Sequence, residues 1–219
     1  MIDVVKMLDV SGVEITLTTE EELYAFEISV DNKQWLKNLD YVTIHAPFNL
    51  WEDPEDDVIQ QIKCISKIYH SIHAQNVIIH PLSTCRGSEI LKNCEFDVSI
   101  ENLPPKSGVS TSELQNLMDN HPHLKLCLDV SHAFLWSKFE TGILVKNFEE
   151  RISQIHFSGT YKRKDHQSLR KVSDDFLRSI QPIRNLELPI VIEEDIKTKS
   201  IEYVKEEIEY IKKLLIRDT

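Results

Sequence analysis

The sequence predicts an α/β protein, a TIM-type (β/α)8 barrel in which residues 1–219 form a single domain. Short apolar segments alternate with segments of helical period, which is the pattern of parallel strands joined by helices. The apolar segments are hydrophobic at nearly every position rather than at every second one, and this indicates strands buried on both faces. The composition does not shift along the chain, whose length suits one barrel.

Strands are predicted in order along the chain. Six segments carry the clearest signal: 41–45, 76–80, 96–101, 124–130, 152–157 and 188–194. Residues 12–17 (GVEITL) predict a further strand at the front. Residues 25–30 (AFEISV) fit either another strand or part of one broken helix within 18–39. An eight-stranded count is therefore not secured, and the barrel is expected with an intact, an abbreviated or a missing first strand.

Helices are predicted between the strands. The segment 54–74 begins with proline and acidic residues, as helix starts prefer. The final segment is strongly amphipathic. The predicted helices are 54–74, 111–120, 132–150, 168–183 and 200–217.

Composition excludes several function classes. The five glycines lie far apart, so neither the dinucleotide fingerprint nor the phosphate-binding P-loop, which both need closely spaced glycines, can be built. The chain has 25 Lys and Arg against 36 Asp and Glu, a net charge of −11. This acidity argues mildly against broad non-specific binding to nucleic acid.

Cysteines and hydropathy predict a cytoplasmic chain. The four cysteines form no C-x-x-C pair and are expected to be reduced. The N-terminal residues carry acids and only a short apolar run, so we expect no secretory signal. No apolar run approaches the length of a membrane span, so no membrane partner is expected.

The strand ends carry the chemical signal. Each clear strand ends on, or is followed by, a residue of metal-ligand type: His45, His80, Glu101, Asp129, His132, His156, Asp165, His166, Glu193 and Glu194. In a parallel barrel the carboxyl ends of the strands meet on one rim, where active sites are built. Acidic side chains buried there need a cation or hydrogen bonds to remain charged. The pattern predicts a metal site.

Several segments resemble one known family. HAPFNLW, IIHP, SIEN, CLDVSHAF, QIHFSGT and VIEED resemble the endonuclease IV branch (AP endonuclease family 2) of the xylose isomerase-like TIM barrels. The resemblance runs from about residue 41 to residue 195, and the Asp-x-x-His of DVSHAF is its most specific part. It implies the same barrel fold and a site with divalent metal ions.

The resemblance also implies which residues bind which ion. A central ion would be held by Glu101, Asp129, His156 and Glu193. A second ion would share Glu101 and add His45 and His80. A third would take His132 and an Asp-x-His pair, but here Asp165 and His166 are adjacent and Lys164 stands at the Asp position. Two ions are therefore better supported than three. Histidine ligands favour Zn, and the carboxylates also suit Mn or Mg.

One reaction implied by the resemblance is phosphoester hydrolysis with two or three metal ions. Glu101 would bridge ions and orient the attacking water. The basic run Lys162, Arg163 and Lys164 would bind phosphate, with a solvated loop as the alternative role. Phe48 and Trp51 would stack on a base or sugar, or pack beneath the rim instead. The substrate of that branch is DNA with abasic sites, a DNA-repair substrate.

The competing reaction is sugar or sugar-phosphate isomerisation or epimerisation with a single ion. Glu101 and Glu193 would exchange protons with the substrate carbon, and His132 would bind a substrate oxygen. Relatives of this class often lack histidines like His45 and His80, which makes those two residues the discriminating feature. A non-catalytic metal-binding barrel is the remaining alternative.

Overall fold

The computed structural model describes residues 2–81, 90–107, 109–195 and 200–215, and these fall into two compact units. The N-terminal unit comprises residues 10–101 and 112–125. The C-terminal unit comprises residues 1–9, 102–111 and 126–219. Both units contain helices and parallel strands, so the predicted α/β class is confirmed.

The described residues contain the following elements. The strands are β1 (Gly12–Thr16), β2 (Tyr41–His45), β3 (Asn76–Ile79), β4 (Val98–Glu101), β5 (Lys125–Asp129), β6 (Ile152–Phe157), β7 (Gly159–Tyr161), β8 (Lys164–Gln167) and β9 (Ile190–Ile192). The helices are α1 (Ile2–Val5), α2 (Glu20–Tyr24), α3 (Val30–Leu36), α4 (Glu55–Ile72), α5 (Thr111–Asn120), α6 (Val130–Trp136), α7 (Glu140–Phe148), α8 (Asp174–Ser179) and α9 (Ile201–Leu215).

Four parallel strands form the sheet of the N-terminal unit, in the order β1-β2-β3-β4. The predicted first strand is present, since β1 pairs with β2 along its whole length. Gly12 is required there because a Cβ atom would lie 2.5 Å from the carbonyl oxygen of Tyr41. The long helix α4 buries one stripe of β-branched residues, including Ile65 and Ile72, and ends at His73 in the left-handed conformation.

The segment 18–39 is a broken helix rather than a strand, so the strand alternative for residues 25–30 is wrong. Two local caps explain this. The Thr19 side chain accepts a hydrogen bond from the Glu22 backbone N–H (3.2 Å) and starts α2. Ser29 does the same for α3 through the Asn32 N–H (3.2 Å). Such caps satisfy amide groups that a helix start leaves without partners.

Three parallel strands, β5, β6 and β9, belong to the C-terminal unit, together with the antiparallel hairpin β7–β8. Within the described ranges the two units hold seven parallel strands, one fewer than the eight of a complete (β/α)8 pattern. The predicted strand 188–194 is shorter than expected, as β9 covers only three residues.

Two helix predictions need correction. The segment 132–150 is two helices, because Ser137 adopts an extended conformation and separates α6 from α7. The segment 168–183 contains only the six-residue α8 between two 3-10 turns. Ser173 caps the start of α8, and Pro182 is the second residue of the 3-10 turn that follows it. The other predicted helices are found within one or two residues of their expected ends, and no described helix is long and apolar enough to span a membrane.

Candidate metal centres

Strand register brings three predicted ligands of the N-terminal unit together. His45 ends β2, His80 follows β3, and Glu101 ends β4. His45 is paired with Ile78, and Ile78 with Ser99, so these three side chains lie on one face of the sheet. His80 and Glu101 come two residues after Ile78 and Ser99 and therefore lie on the same face. One ligand atom from each of the three residues lies within 4.8 Å of the other two. We name this group the His45 cluster.

Both histidines of the His45 cluster present Nε2 to one carboxylate oxygen. His45 Nε2 lies 3.1 Å and His80 Nε2 3.4 Å from Glu101 Oε2. His45 Nδ1 lies 2.9 Å from the carbonyl oxygen of Ala46, which can only accept, so Nδ1 carries a proton. In the neutral ring, Nε2 then presents a lone pair to the Glu101 carboxylate. Two electron-rich atoms at this distance need a proton or a metal cation between them.

Phe48 and Trp51 contact His80. The Phe48 ring stacks on the His80 imidazole with centroids 5.0 Å apart and planes 3° apart. The Trp51 indole donates a hydrogen bond to the His80 carbonyl oxygen (3.0 Å). Trp51 thus supports the strand end, whereas Phe48 is 46% exposed and has surface left for a ligand.

A second group, the Asp129 cluster, lies in the C-terminal unit and comprises Asp129, His156 and Glu193. Asp129 and His156 are directly paired across β5 and β6, so their side chains share a face. His156 Nδ1 lies 2.8 Å from Glu193 Oε2. That oxygen accepts no hydrogen bond of good geometry from the described residues. Asp129 and His156 are fully buried, which is an environment that favours ligation to a cation.

The local sequence aims the Asp129 carboxylate. Asp129 is the N-cap of α6, and its Oδ1 accepts hydrogen bonds from the His132 N–H (2.6 Å) and the Ser131 hydroxyl (2.9 Å). Asn102 fixes the Asp129 backbone, donating to its carbonyl (2.9 Å) and accepting from its N–H (2.8 Å). The Asp-x-x-His motif is therefore a helix cap as well as a pair of candidate ligands.

The third group, the His132 cluster, comprises His132, Asp165 and His166. His132 Nδ1 lies 3.1 Å from the Asn102 carbonyl oxygen, and His166 Nδ1 lies 3.0 Å from that of Glu193. Both carbonyls fix the proton on Nδ1. In the neutral rings Nε2 then carries the lone pair, and the two Nε2 atoms face each other at 3.3 Å, with Asp165 Oδ2 3.7 Å from His132 Nε2. A shared cation satisfies both lone pairs.

Backbone geometry explains how adjacent residues reach the same group. Successive side chains of a regular strand point to opposite faces. His166 has a φ of 53°, which breaks this alternation and places Asp165 and His166 on one side. In the sequence, Asp165 and His166 are adjacent instead of forming an Asp-x-His pair. The left-handed conformation of His166 compensates for this difference. The residues fit a third ion.

The basic run lies on the hairpin that carries the His132 cluster. Lys162 and Arg163 form the two-residue turn between β7 and β8, and Lys164 is exposed on β8. Lys106 Nζ lies 3.9 Å from Asp165 Oδ2. Lysines at this position bring positive charge beside a group of candidate ligands.

Glu194, the last of the predicted strand-end residues, is half-buried beside Glu207 and has a structural role. Burial, together with the neighbouring Glu207 carboxylate, raises the pKa of Glu194 to about 8. Its Oε1 accepts a hydrogen bond from the Leu169 N–H (3.2 Å). Hydrogen bonds from Ser168 and Arg170 hold the pKa of Glu207 on α9 below its usual value despite burial. The pair ties α9 to the end of β9.

Two supporting residues were missed from the sequence. Asn102 fixes both Asp129 and His132, and Gln154 places its amide nitrogen 3.0 Å from His156 Nε2. Gln154 is a fully buried amide two residues before His156 in β6 (ISQIHF), so both side chains lie on the same face of the strand, and this spacing is its signal in the sequence. Asn102 directly follows a candidate ligand.

Comparison with known proteins identifies the fold family. The family described as "Xylose isomerase-like TIM barrel" matches residues 2–214. No curated protein matches the chain. A xylose isomerase domain-containing protein from Salmonella typhimurium LT2 has a similar structure, with a TM-score of 0.76 and 17% identity over 99% of this chain and 91% of that chain.

Two further solved structures represent different activities. Endonuclease IV from Thermus thermophilus gives a TM-score of 0.71 at 16% identity, over 97% of this chain and 93% of that chain. The 3-keto-D-glucoside 4-epimerase of E. coli gives 0.70 at 11% identity, over 97% and 92%. At such identities the likeness shows the fold alone. The predicted barrel class is confirmed, and the chain belongs to the xylose isomerase-like TIM-barrel family.

Proposed function

We propose that this chain is a phosphoester hydrolase that uses two or three divalent metal ions. The observation that carries the proposal is the His45 cluster, in which two histidine Nε2 atoms converge on one Glu101 oxygen. In an isomerase with a single ion on Glu101, Asp129, His156 and Glu193, these two histidines would not be metal ligands. In a hydrolase with several ions they would be, because paired ions act on both the attacking and the leaving oxygen.

The His132 cluster supports a third ion. Its two imidazoles are each fixed by a backbone carbonyl and turn their Nε2 atoms toward each other. Imidazole and carboxylate together are ligands that zinc prefers, and Mn or Mg would suit a more carboxylate-rich group. We therefore expect zinc at the two histidine-rich clusters.

The chain's own residues have distinct roles in this proposal. Bound ions would supply Lewis acidity and lower the pKa of water. Glu101, which the family resemblance makes a ligand shared between ions, orients the attacking water. Glu193 and His132 hold their clusters in place at the catalytic rim. Lys162, Arg163 and Lys164 bind phosphate groups of the substrate.

The substrate is proposed to be a phosphodiester, with abasic DNA as the first compound to test. Endonuclease IV from Thermus thermophilus is among the structural neighbours, and this supports the choice. The exposed Phe48 ring beside His80 offers an aromatic surface to a sugar or base.

The test measures metal content and hydrolysis together. Protein purified without chelator is expected to hold two or three equivalents of zinc or manganese and to cleave a duplex containing an abasic site. His80→Ala should lose one ion and at least about tenfold in rate, consistent with the loss of a ligand. His70→Ala, which changes an exposed histidine on α4, is the control. Unchanged cleavage by His80→Ala would contradict the multi-ion proposal.

The alternative is a sugar or sugar-phosphate isomerase or epimerase. The Asp129 cluster favours it, because with Glu101 in the role implied by the resemblance it needs only one ion. An E. coli sugar epimerase is also among the neighbours. Here Glu101 and Glu193 would exchange protons with the substrate carbon, and His132 would bind a substrate oxygen. One ion per chain, with turnover of a ketose and no phosphodiester cleavage, would establish this alternative.

A further inference from the structure

A concave site lies in the C-terminal unit, outside the metal clusters. It is a cavity of about 620 Å³ between α6, the β7–β8 hairpin and the start of α8. Its walls include the cations Lys162, Arg163 and Lys171 and the aromatic residues Phe134 and Tyr161. A cavity of this size accommodates a small organic ligand. We name it the hairpin cavity.

The hairpin cavity is electropositive in an acidic protein. Lys162, Arg163 and Lys171 form no ion pair with any carboxylate in the described part of the chain. The chain as a whole has a net charge of −11, so three unneutralised cations around one cavity are a local exception. Such a concentration of positive charge attracts an anion.

The turn that carries two of these cations is strained. Lys162 and Arg163 have φ values of 51° and 62°, in a two-residue hairpin turn closed by Tyr161 and Lys164. Turns with two positive φ angles favour Asn-Gly, because a side chain at such angles is unfavourable. Non-glycine residues in these conformations are destabilising, and they concentrate at functional sites. The chain therefore places long basic side chains where glycine would be more stable.

The other walls are apolar and aromatic. Phe134 and Leu135 come from α6, and Val172 borders the opposite side. The Tyr161 ring is 43% exposed and lies 5.2 Å from Lys162 Nζ. An aromatic face beside a cation suits a ligand that carries both an anionic group and a flat ring. A fully hydrated inorganic anion would not use these walls.

The hairpin cavity is separate from the His132 cluster. His132 and Phe134 are two residues apart on α6, which places their side chains roughly 200° apart around the helix axis. His132 faces Asp165 and His166, whereas the Phe134 ring contacts Phe176 on α8. Binding in the cavity therefore requires no metal ion, although the proposal shares Lys162 and Arg163 with the phosphate-binding run of the proposed function.

We propose that the hairpin cavity binds a nucleoside phosphate, with the phosphoryl group held by Lys162, Arg163 and Lys171 and the base lying against Tyr161 and Phe134. Arginine offers paired donors to phosphate oxygens, and lysine adds charge. The same nucleotide chemistry can come from a free mononucleotide or from one nucleotide of a single strand. In both sources the phosphate and the base are joined through one sugar, so the cavity would contact them in the same way.

The experiment uses full-length protein treated with EDTA, so that the metal clusters and any hydrolysis do not contribute. Binding of AMP is measured by isothermal titration calorimetry. The variant Lys162→Ala/Arg163→Ala/Lys171→Ala should bind AMP at least about tenfold more weakly, a difference of about 1.4 kcal/mol. The control Lys63→Ala/Lys146→Ala/Lys213→Ala removes the same charge from exposed positions elsewhere. Circular dichroism and thermal unfolding check that all variants are folded.

Comparison of ligands tests each half of the proposal. Adenosine should bind at least about tenfold more weakly than AMP if the cations hold the phosphate, and inorganic phosphate should also bind more weakly if the aromatic walls contribute. A ten-nucleotide oligothymidylate that binds more tightly than TMP identifies a strand as the source, and equal or weaker binding identifies the free nucleotide. No measurable AMP or oligonucleotide binding, equal affinities for AMP and adenosine or for AMP and phosphate, or equal loss in both triple variants would overturn the proposal.

Discussion

His132 Nε2 and His166 Nε2 face each other at 3.3 Å, while the Nδ1 atom of each ring lies within hydrogen-bond distance of a backbone carbonyl. The carbonyls of Asn102 and Glu193 thereby set the tautomer of both rings. Histidine ligands of metal sites usually have their second nitrogen anchored in this way. The two imidazoles are therefore held in position before any ion binds. This pair of histidines, rather than Asp165, makes the cluster a candidate metal site.

His166→Ala is expected to remove one metal ion per chain. The variant leaves His132 and Asp165 without the third ligand that their geometry provides. Zinc content is measured by elemental analysis after dialysis against a small excess of zinc. His70→Ala on α4 should keep the wild-type content, because His70 is exposed and belongs to none of the three clusters. Equal zinc content in wild type and His166→Ala would refute the third site.

Substitutions of Asp129 can separate its two roles. Asp129→Asn keeps a side-chain oxygen for the His132 N–H and so preserves the cap of α6, but it removes the negative charge that a metal requires. Asp129→Ala removes both. We expect both variants to lose metal, and metal-free Asp129→Ala to be about 1 kcal/mol less stable than metal-free Asp129→Asn. Urea unfolding in EDTA measures the difference, and equal stabilities would show that the cap contributes nothing.

Gln154 is expected to control metal affinity through His156. An ion on Nδ1 leaves the proton on Nε2, and the Gln154 side chain, turned to present its amide oxygen, can accept a hydrogen bond from that N–H. Gln154→Leu leaves that buried N–H without an acceptor and should weaken zinc binding about 10–100-fold. Competition with a chromophoric chelator measures the affinity. Gln115→Leu on α5 is the control, and an affinity loss of the same size in both variants would remove the positioning role.

The sequence predicted the fold class and most ligands because both depend on local pattern. Buried parallel strands are visible as apolar runs, and their carboxyl ends carry His45, Glu101, Asp129 and His156 in the last or next-to-last strand position. Alternation within a strand then decides which side chains share a face. These features require no knowledge of loops or of distant contacts.

What the sequence could not predict depends on backbone geometry outside regular elements. The reach of Asp165 to the His132 cluster depends on the positive φ of His166, which no propensity indicates for histidine in a strand. The hairpin cavity depends on Lys171, which lies seven residues beyond Lys164 in a 3-10 turn. The break between α6 and α7 was likewise missed. Serine occurs in helices as well as at their ends, so the sequence does not indicate the extended conformation of Ser137.

Gly159 is expected to be irreplaceable at the base of the hairpin. A Cβ atom there would overlap Val172 Cγ1 and lie 2.8 Å from the Gln167 carbonyl oxygen. Gly159→Ala should lower the free energy of unfolding by about 1–3 kcal/mol, as overpacking does. Gly142→Ala is the matched control, because its Cβ would make ordinary contact with Pro182 at 3.6 Å and it lies within α7. That change should raise stability by about 0.5–1 kcal/mol. Thermal and urea unfolding compare the two, and an equally stable Gly159→Ala would show that the hairpin can move away from Val172.

Replacing the strained turn should trade ligand binding for stability. Lys162→Asn/Arg163→Gly puts into the β7–β8 turn the residues that its positive φ angles favour, and should raise the free energy of unfolding by about 1–2 kcal/mol. The same variant removes two of the three cations of the hairpin cavity, so its affinity for AMP should fall. Urea unfolding of metal-free protein measures the first effect and calorimetry the second. Lys162→Ala/Arg163→Ala removes the same charges without relieving the strain, and should lose affinity without gaining stability. If both double variants unfold at the same urea concentration as the wild type, the turn stores no strain, and the presence of basic residues there needs another explanation.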